Sequence, residues 1–161
     1  MQIRLEIKQF QETMKALLRT PVNLSDPDIA LEIRLTVLAD VDTRFDGAPP
    51  VELGGVVYGG VYWAPLSPSY LRQKPRRRGG QILRDTGELQ QSFTSNAAIF
   101  QAANNEVVVG TALPKAADLQ RGYIFGRLRP GRERPILFIH DQLVQDVLQI
   151  INEAIARRQG P

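Results

Sequence analysis

Apolar residues recur at steps of four and three through Ile3, Ile7, Phe10, Met14 and Leu17. That spacing predicts an amphipathic helix from Gln2 to Arg19 with one apolar stripe, stopped by Pro21. Ser25-Asp26-Pro27 is a helix start: a capping side chain is followed by a proline whose missing N–H costs nothing in the first turn. A second helix is predicted from Pro27 to about Phe45, with Leu31, Leu35, Leu38 and Phe45 inward. Ile29, Leu31, Ile33, Leu35 and Val37 also alternate with period two, as a strand would. The cap, and the poor strand character of Ala39-Asp40-Val41-Asp42, favour helix. The two helices would then form a hairpin beside whatever sheet follows.

From Asp46 to Gly60 the pattern breaks into Gly47, Pro49-Pro50, Gly54-Gly55 and Gly59-Gly60, with Val56-Val57-Tyr58 as a short strand between glycine pairs. The stretch from about 46 to 81 reads as one extended loop or arm, unusually long for a compact domain. Thr86-Gly87-Glu88-Leu89 predicts a capped turn or short helix. Ser92 to Phe100 and Glu106 to Thr111 then form a β-hairpin around the turn residues Ala103-Asn104-Asn105. Pro114 to Gln120 predicts a short helix ending near Gly122. Pro135 to Ile139 is either a strand or an extended lead-in to the last helix. Asp141 caps that helix, with Leu143, Val147, Ile150, Ile151 and Ala154 inward and Arg157-Arg158 at its negative end.

Composition sharpens this outline. At 161 residues, 43% hydrophobic and 23% charged, the chain fits a single domain spanning 1–161. The fold class expected is α+β: an N-terminal helical hairpin, a small mainly antiparallel sheet with a long basic loop, and a C-terminal helix. Net charge is only +3, but the cations cluster. Arg72, Lys74, Arg76, Arg77 and Arg78 lie between Tyr70 and Gly79 without an acid. Such a segment repels itself, offers nothing to a core, and is expected to be a mobile arm held at both ends. Arg121, Arg127, Arg129, Arg132 and Arg134 form a second group opposed only by Glu133. Both groups suit contact with a polyanion or a neighbouring subunit; equally, they suit solvated loops.

Little in the sequence points to catalysis. With no cysteine, disulfides and thiolate chemistry are excluded. No nucleophile elbow, P-loop, dinucleotide fingerprint or zinc-protease motif is present. His140, the only histidine, reads as packing or capping rather than as a catalyst. Asp40, Asp42 and Asp46 invite a hard-cation reading, but beside Arg44 they look like an ordinary solvated helix edge. No base-reading nucleic-acid module is visible, so DNA, if met, would be met through its phosphates. No signal peptide or membrane-spanning run is visible, which fits manufacture in a cytoplasm.

Several short motifs occur together in one order: Arg44-Phe45, then Gly60 and Trp63-Ala-Pro65-Leu-Ser67-Pro-Ser-Tyr70 with Lys74, then Ile82-Leu83-Arg-Asp-Thr86-Gly87-Glu-Leu89. Val108-Val109-Gly110-Thr111, Ala116-Ala117 before Gln120 and Gly122, and the basic run before Pro135-Ile-Leu-Phe138 continue the series. In this order they resemble the phage virion morphogenesis family, the neck and tail-completion proteins of tailed bacteriophages. The resemblance spans roughly Phe45 to Phe138. It departs at Leu119-Gln120-Arg121-Gly122, at Arg129-Pro130-Gly131-Arg132-Glu133-Arg134-Pro135, and in the stretch Val51 to Val61, which looks inserted.

The resemblance implies a structural, non-enzymatic virion protein without cofactors, made in the host cytoplasm and sited at the head–tail junction. It implies a homo-oligomeric ring, six-fold or twelve-fold, around the DNA channel. Partners would be adjacent neck, portal-side or tail-terminator proteins, with non-specific DNA contact and no membrane. Trp63, Leu66 and Tyr70 would anchor the arm at a subunit interface, as tryptophan and tyrosine often do; plain core packing suits them equally. Arg72, Lys74, Arg76, Arg77 and Arg78 would form the arm itself, and Arg127, Arg129, Arg132 and Arg134 would face the channel or a partner ring. The competing function is a non-specific nucleic-acid-binding assembly or DNA-packaging factor.

Overall fold

A computed structural model describes residues 3–6, 22–124, 127–128 and 131–159. Its class is α+β. The element order is β1 (Ile3–Glu6), α1 (Pro27–Asp46), β2 (Gly55–Val56), β3 (Tyr62–Trp63), α2 (Pro68–Gln73), a 3-10 turn (Pro75–Arg77) and α3 (Glu88–Gln91). Then come β4 (Ala98–Ala103), β5 (Glu106–Thr111), α4 (Pro114–Arg121), β6 (Tyr123–Ile124), β7 (Arg127–Leu128) and α5 (Asp141–Gln159).

The main sheet is antiparallel in the order β1-β5-β4. Its central strand, β5, is buried from Val107 to Thr111. The β4–β5 turn places Asn104 at φ 53° and Asn105 at φ 59°, a left-handed pair that asparagine tolerates and a two-residue hairpin demands. Asn105 also fixes the start of α1: its side chain accepts from the Leu24 N–H (2.6 Å), and its own N–H donates to Ser25 Oγ (2.8 Å). The Asp26 carboxylate caps α1 through Asp28 N–H, with Pro27 in the first turn.

Four expectations are corrected. Residues Ile3 to Glu6 do not begin a helix; they pair in register with Val108 to Thr111. Ile3-Arg4-Leu5-Glu6 alternates apolar with charged, and the open edge of β5 selects that period over the helical one. The remaining span of that expected helix, 7–19, lies outside the described residues.

Second, α1 turns Phe45 inward and half-buries Leu38, as expected, but not Leu31 and Leu35. Ile29, Ile33, Val37, Val41 and Phe45 are buried, whereas Leu31 and Leu35 remain 46% and 56% exposed. The winning stripe runs at steps of four along the whole helix, whereas the Leu31–Leu35 stripe meets Asp42 one turn past Leu38. The longer unbroken stripe removes more apolar surface from water.

Third, Ser92 to Ser95 continue as turns after α3, with Ser92 Oγ donating to the Leu89 carbonyl (2.7 Å). The strand begins only at Ala98. Fourth, His140 rather than Asp141 occupies the cap position of α5: its carbonyl accepts from the Val144 N–H (3.0 Å), and Asp141 is the first helical residue.

Two apolar clusters result. The larger joins α1, β5, α4, residues 136–137 and the inward face of α5. The smaller lies within the stretch read as an arm and contains Ala48, Val51, Val57, Trp63, Leu71 and Ile82. Phe45 meets Trp63 edge-on across the two, centroids 6.0 Å apart.

Candidate functional site

Residues 134–140 run without a strand ladder of their own, so their backbone groups must be satisfied from elsewhere. Side chains from three other parts of the chain do this. Gln120, near the end of α4, accepts from the N–H groups of Ile136 (2.7 Å) and Leu137 (3.2 Å) and donates to the Leu137 carbonyl (2.5 Å). One amide thus stands in for a neighbouring strand. Trp63 is fully buried, and its indole N–H donates to the Pro135 carbonyl (3.1 Å).

Arg44, also fully buried, donates to the Ile136 carbonyl and, through Nε, to the Tyr58 carbonyl (3.1 Å). The Phe138 ring stacks on its guanidinium at 4.1 Å. Its remaining nitrogen pairs with Asp40 one turn earlier (2.5 Å), whose other oxygen shares a hydrogen bond with His140 Nε2 (2.5 Å). Burial pushes the Arg44 guanidinium below its ordinary value, while Asp40 pulls it back upward. His140 therefore does pack, as expected, but as a partner of Asp40 and an edge-on neighbour of Tyr58 at 5.2 Å.

The approach of Tyr58 requires Gly59. At φ +90°, a Cβ there would sit 2.7 Å from the Phe138 ring. The glycine-rich stretch is thereby pressed against the same segment from the other side.

Arg134 completes the arrangement and overturns one expectation. It is only 4% exposed and donates through Nη2 to the carbonyls of Ala64 (2.8 Å) and Pro65 (3.4 Å). Arg132 donates to Pro65 as well (2.9 Å). Burial, and then the nearby Arg132 charge, lower the Arg134 value. Arg134 is therefore a strut between the 134–140 segment and the Trp63-Ala-Pro65 stretch, not a channel-facing cation, and Arg132 is half-buried beside it. Of their group, Arg129 and the side chain of Arg127 lie outside the described residues.

Trp63 likewise belongs to the core rather than to an interface, because its ring fills the junction between the two clusters. Leu66 and Tyr70 are half-buried against the smaller cluster. The basic segment is folded, which corrects the expectation of a bare arm. Ser67 caps α2 by accepting from the Tyr70 N–H (3.2 Å), and Leu71 is buried. Arg77 turns inward to pair with Asp85 (3.1 Å) and to donate to the Gln81 carbonyl (3.3 Å). Glu52 accepts from the Gly79 N–H (2.8 Å).

What remains on the outside is Arg72, Lys74, Arg76 and Arg78, all exposed. Arg76 reaches Asp85 only at 3.4 Å; among the described residues the other three have no acidic partner. An exposed apolar strip lies on the β2–β3 hairpin: Val56 and Tyr62 are cross-strand partners, and Tyr62 donates to the Leu53 carbonyl (3.3 Å).

The aspartates read as a possible hard-cation set diverge. Asp40 faces Arg44 and His140, Asp42 accepts from Gln90 (2.9 Å), and Asp46 pairs with Arg84 (3.4 Å). Among the described residues no group of three or more His, Asp or Glu side chains is placed to hold a metal ion. No helix among them is long and apolar enough to cross a membrane.

The model of the phage virion morphogenesis family matches residues 5–156. The chain belongs to this family. No characterised protein and no solved structure matches it. Membership gives it a place in phage virion morphogenesis and points to a structural rather than a catalytic role.

The motifs that marked the resemblance now have physical tasks. Arg44, Trp63, Gln120 and the residues after Arg134 are the parts that bind the 134–140 segment into the fold. Sequence reasoning missed Arg44 and Arg134 as buried residues. A signal for the first was present: Asp40 and Arg44 lie four apart on the same face as Val37, Val41 and Phe45, where an unpaired charge would be untenable.

Proposed function

We propose that this chain is a head–tail junction subunit, a neck, tail-completion or connector component that assembles as a ring around the DNA channel and joins head to tail. The supporting observation is how its polar groups are divided. Of the signature side chains, Arg44, Trp63 and Gln120 are consumed inside the subunit, whereas Lys74, with Arg72, Arg78 and the strip of Leu53, Val56 and Tyr62, remains unmet outside. Exposed apolar groups beside unpaired cations are what a subunit offers to protein neighbours. A C-terminal helix and sheet packed on α1 supply a rigid body to carry that surface.

Withholding this chain during phage growth tests the proposal. Filled heads and finished tails should accumulate unjoined, and adding purified protein to the lysate should restore infectious particles. Normal particle yield without the chain would refute the role.

The unpaired cations on α2 and the turn after it also support a second reading, non-specific binding to nucleic acid. On that reading the isolated subunit binds duplex DNA of any sequence, with an affinity that falls steeply as salt rises. A subunit without measurable DNA affinity at low salt removes that reading.

A further inference from the structure

A second surface of the molecule carries the opposite charge. Where α1 and α5 meet beside Tyr58, the chain forms an open groove of about 460 Å³ lined by Thr36, Thr43, Tyr58, Asp146, Ile150 and Glu153, with Gln149 also on its wall. Asp146 accepts from Gln142 (2.8 Å) and Glu153 from Gln149 (2.8 Å), both neutral amides. Among the described residues neither carboxylate has a cation partner. Asp40 on the same wall is committed to the buried Arg44, and Arg157, one turn beyond Glu153 on α5, pairs with Glu32 of α1 (3.1 Å) instead.

The protein thus holds two unsatisfied and complementary surfaces that do not meet within the subunit. One is the ridge of Arg72, Lys74 and Arg78; the other is this acidic groove with an apolar and aromatic lining. A contact between two different patches of identical chains is heterologous, and it closes into a ring when the rotation between copies allows. Charge complementarity of this kind fixes register and excludes wrong pairings.

We infer that the groove between α1 and α5 receives the basic ridge at residues 72–78 of a second copy of this chain. Asp146 and Glu153 would meet the cations of that ridge, while Tyr58 and Ile150 give its aliphatic stems an apolar wall. The inference rests on the ring reading above and specifies its contact.

Charge reversal in phage particles tests it. Arg72→Glu/Lys74→Glu/Arg78→Glu and Asp146→Lys/Glu153→Lys should each lower the amount of chain incorporated by about tenfold or more, because like charges then face each other. Combining the two sets should restore incorporation. Independently, Gln73→Cys with Gln149→Cys, in a chain that has no cysteine of its own, should be joined into multimers by a short bismaleimide within particles, and neither single variant should be. Incorporated chain that ignores the reversals and forms no cross-linked multimers overturns the groove contact while leaving the junction role standing. Absence of the unaltered chain from particles overturns the junction role, and this contact with it.

Discussion

Arg44 illustrates how a single buried charge can organise a fold. Its guanidinium has five donors; here they are divided among one carboxylate and two backbone carbonyls from distant parts of the chain, with an aromatic ring on its face. Removing it leaves Asp40 buried beside an imidazole and strands two carbonyls. Arg44→Ala should therefore destabilise the subunit by about 3–5 kcal/mol, the usual cost of breaking a buried pair from one side. Chemical denaturation measures it, and a loss near that of a surface substitution would contradict the assigned geometry.

Gln120 provides a finer test. Gln120→Glu keeps the oxygen that accepts from Ile136 and Leu137 but replaces the donor to the Leu137 carbonyl with a second acceptor. The expected cost is about 1–3 kcal/mol, that of an unmet buried acceptor, and a melting curve identical to that of the parent would refute the amide's role as a strand substitute.

Among the elements, those with local signals were readable from sequence. Helix α1 carries its start in Asp26-Pro27, β5 its valine run, the hairpin its two asparagines, and α4 its proline and Gly122. The register of burial was harder, because α1 has apolar residues on two faces and only the partner surface decides between them. The segment around α2 was the least legible. Five cations between Tyr70 and Gly79 read as an unfolded arm, yet Ser67, Pro68 and Leu71 anchor a short helix, and Asp85, some distance along the chain, neutralises Arg77. That neutralisation is a tertiary fact with no local trace.

It has a measurable consequence at this scale. Trypsin should cut the free subunit slowly after the buried Arg77, and Asp85→Asn, which removes its partner, should speed cleavage there several-fold. Rapid cleavage after Arg77 in the parent chain would mean that the segment does not hold this fold in solution.

In the molecule taken whole, the larger core is stitched to the smaller through Phe45 and Trp63, and the signature residues Arg44, Phe45 and Trp63 lie along that seam. This explains why the candidate site was legible in its residues but not in its roles. Trp63 suited an interface or the core equally, and Arg134 was expected outside with its cation cluster; both became struts, Trp63 to the Pro135 carbonyl and Arg134 to those of Ala64 and Pro65. What the struts do not use stays on the outside, and it is there that the proposed assembly contacts lie: the ridge of Arg72, Lys74 and Arg78, the hairpin strip at Val56 and Tyr62, and the acidic groove beside α5.

The proposed ring at the head–tail junction is open to direct observation by cryo-electron microscopy of purified particles. The junction should show a closed ring of density into which the described fold fits, with residues 72–78 of each copy against the α1–α5 groove of the next. Particles whose junction contains no copy of this chain would contradict it.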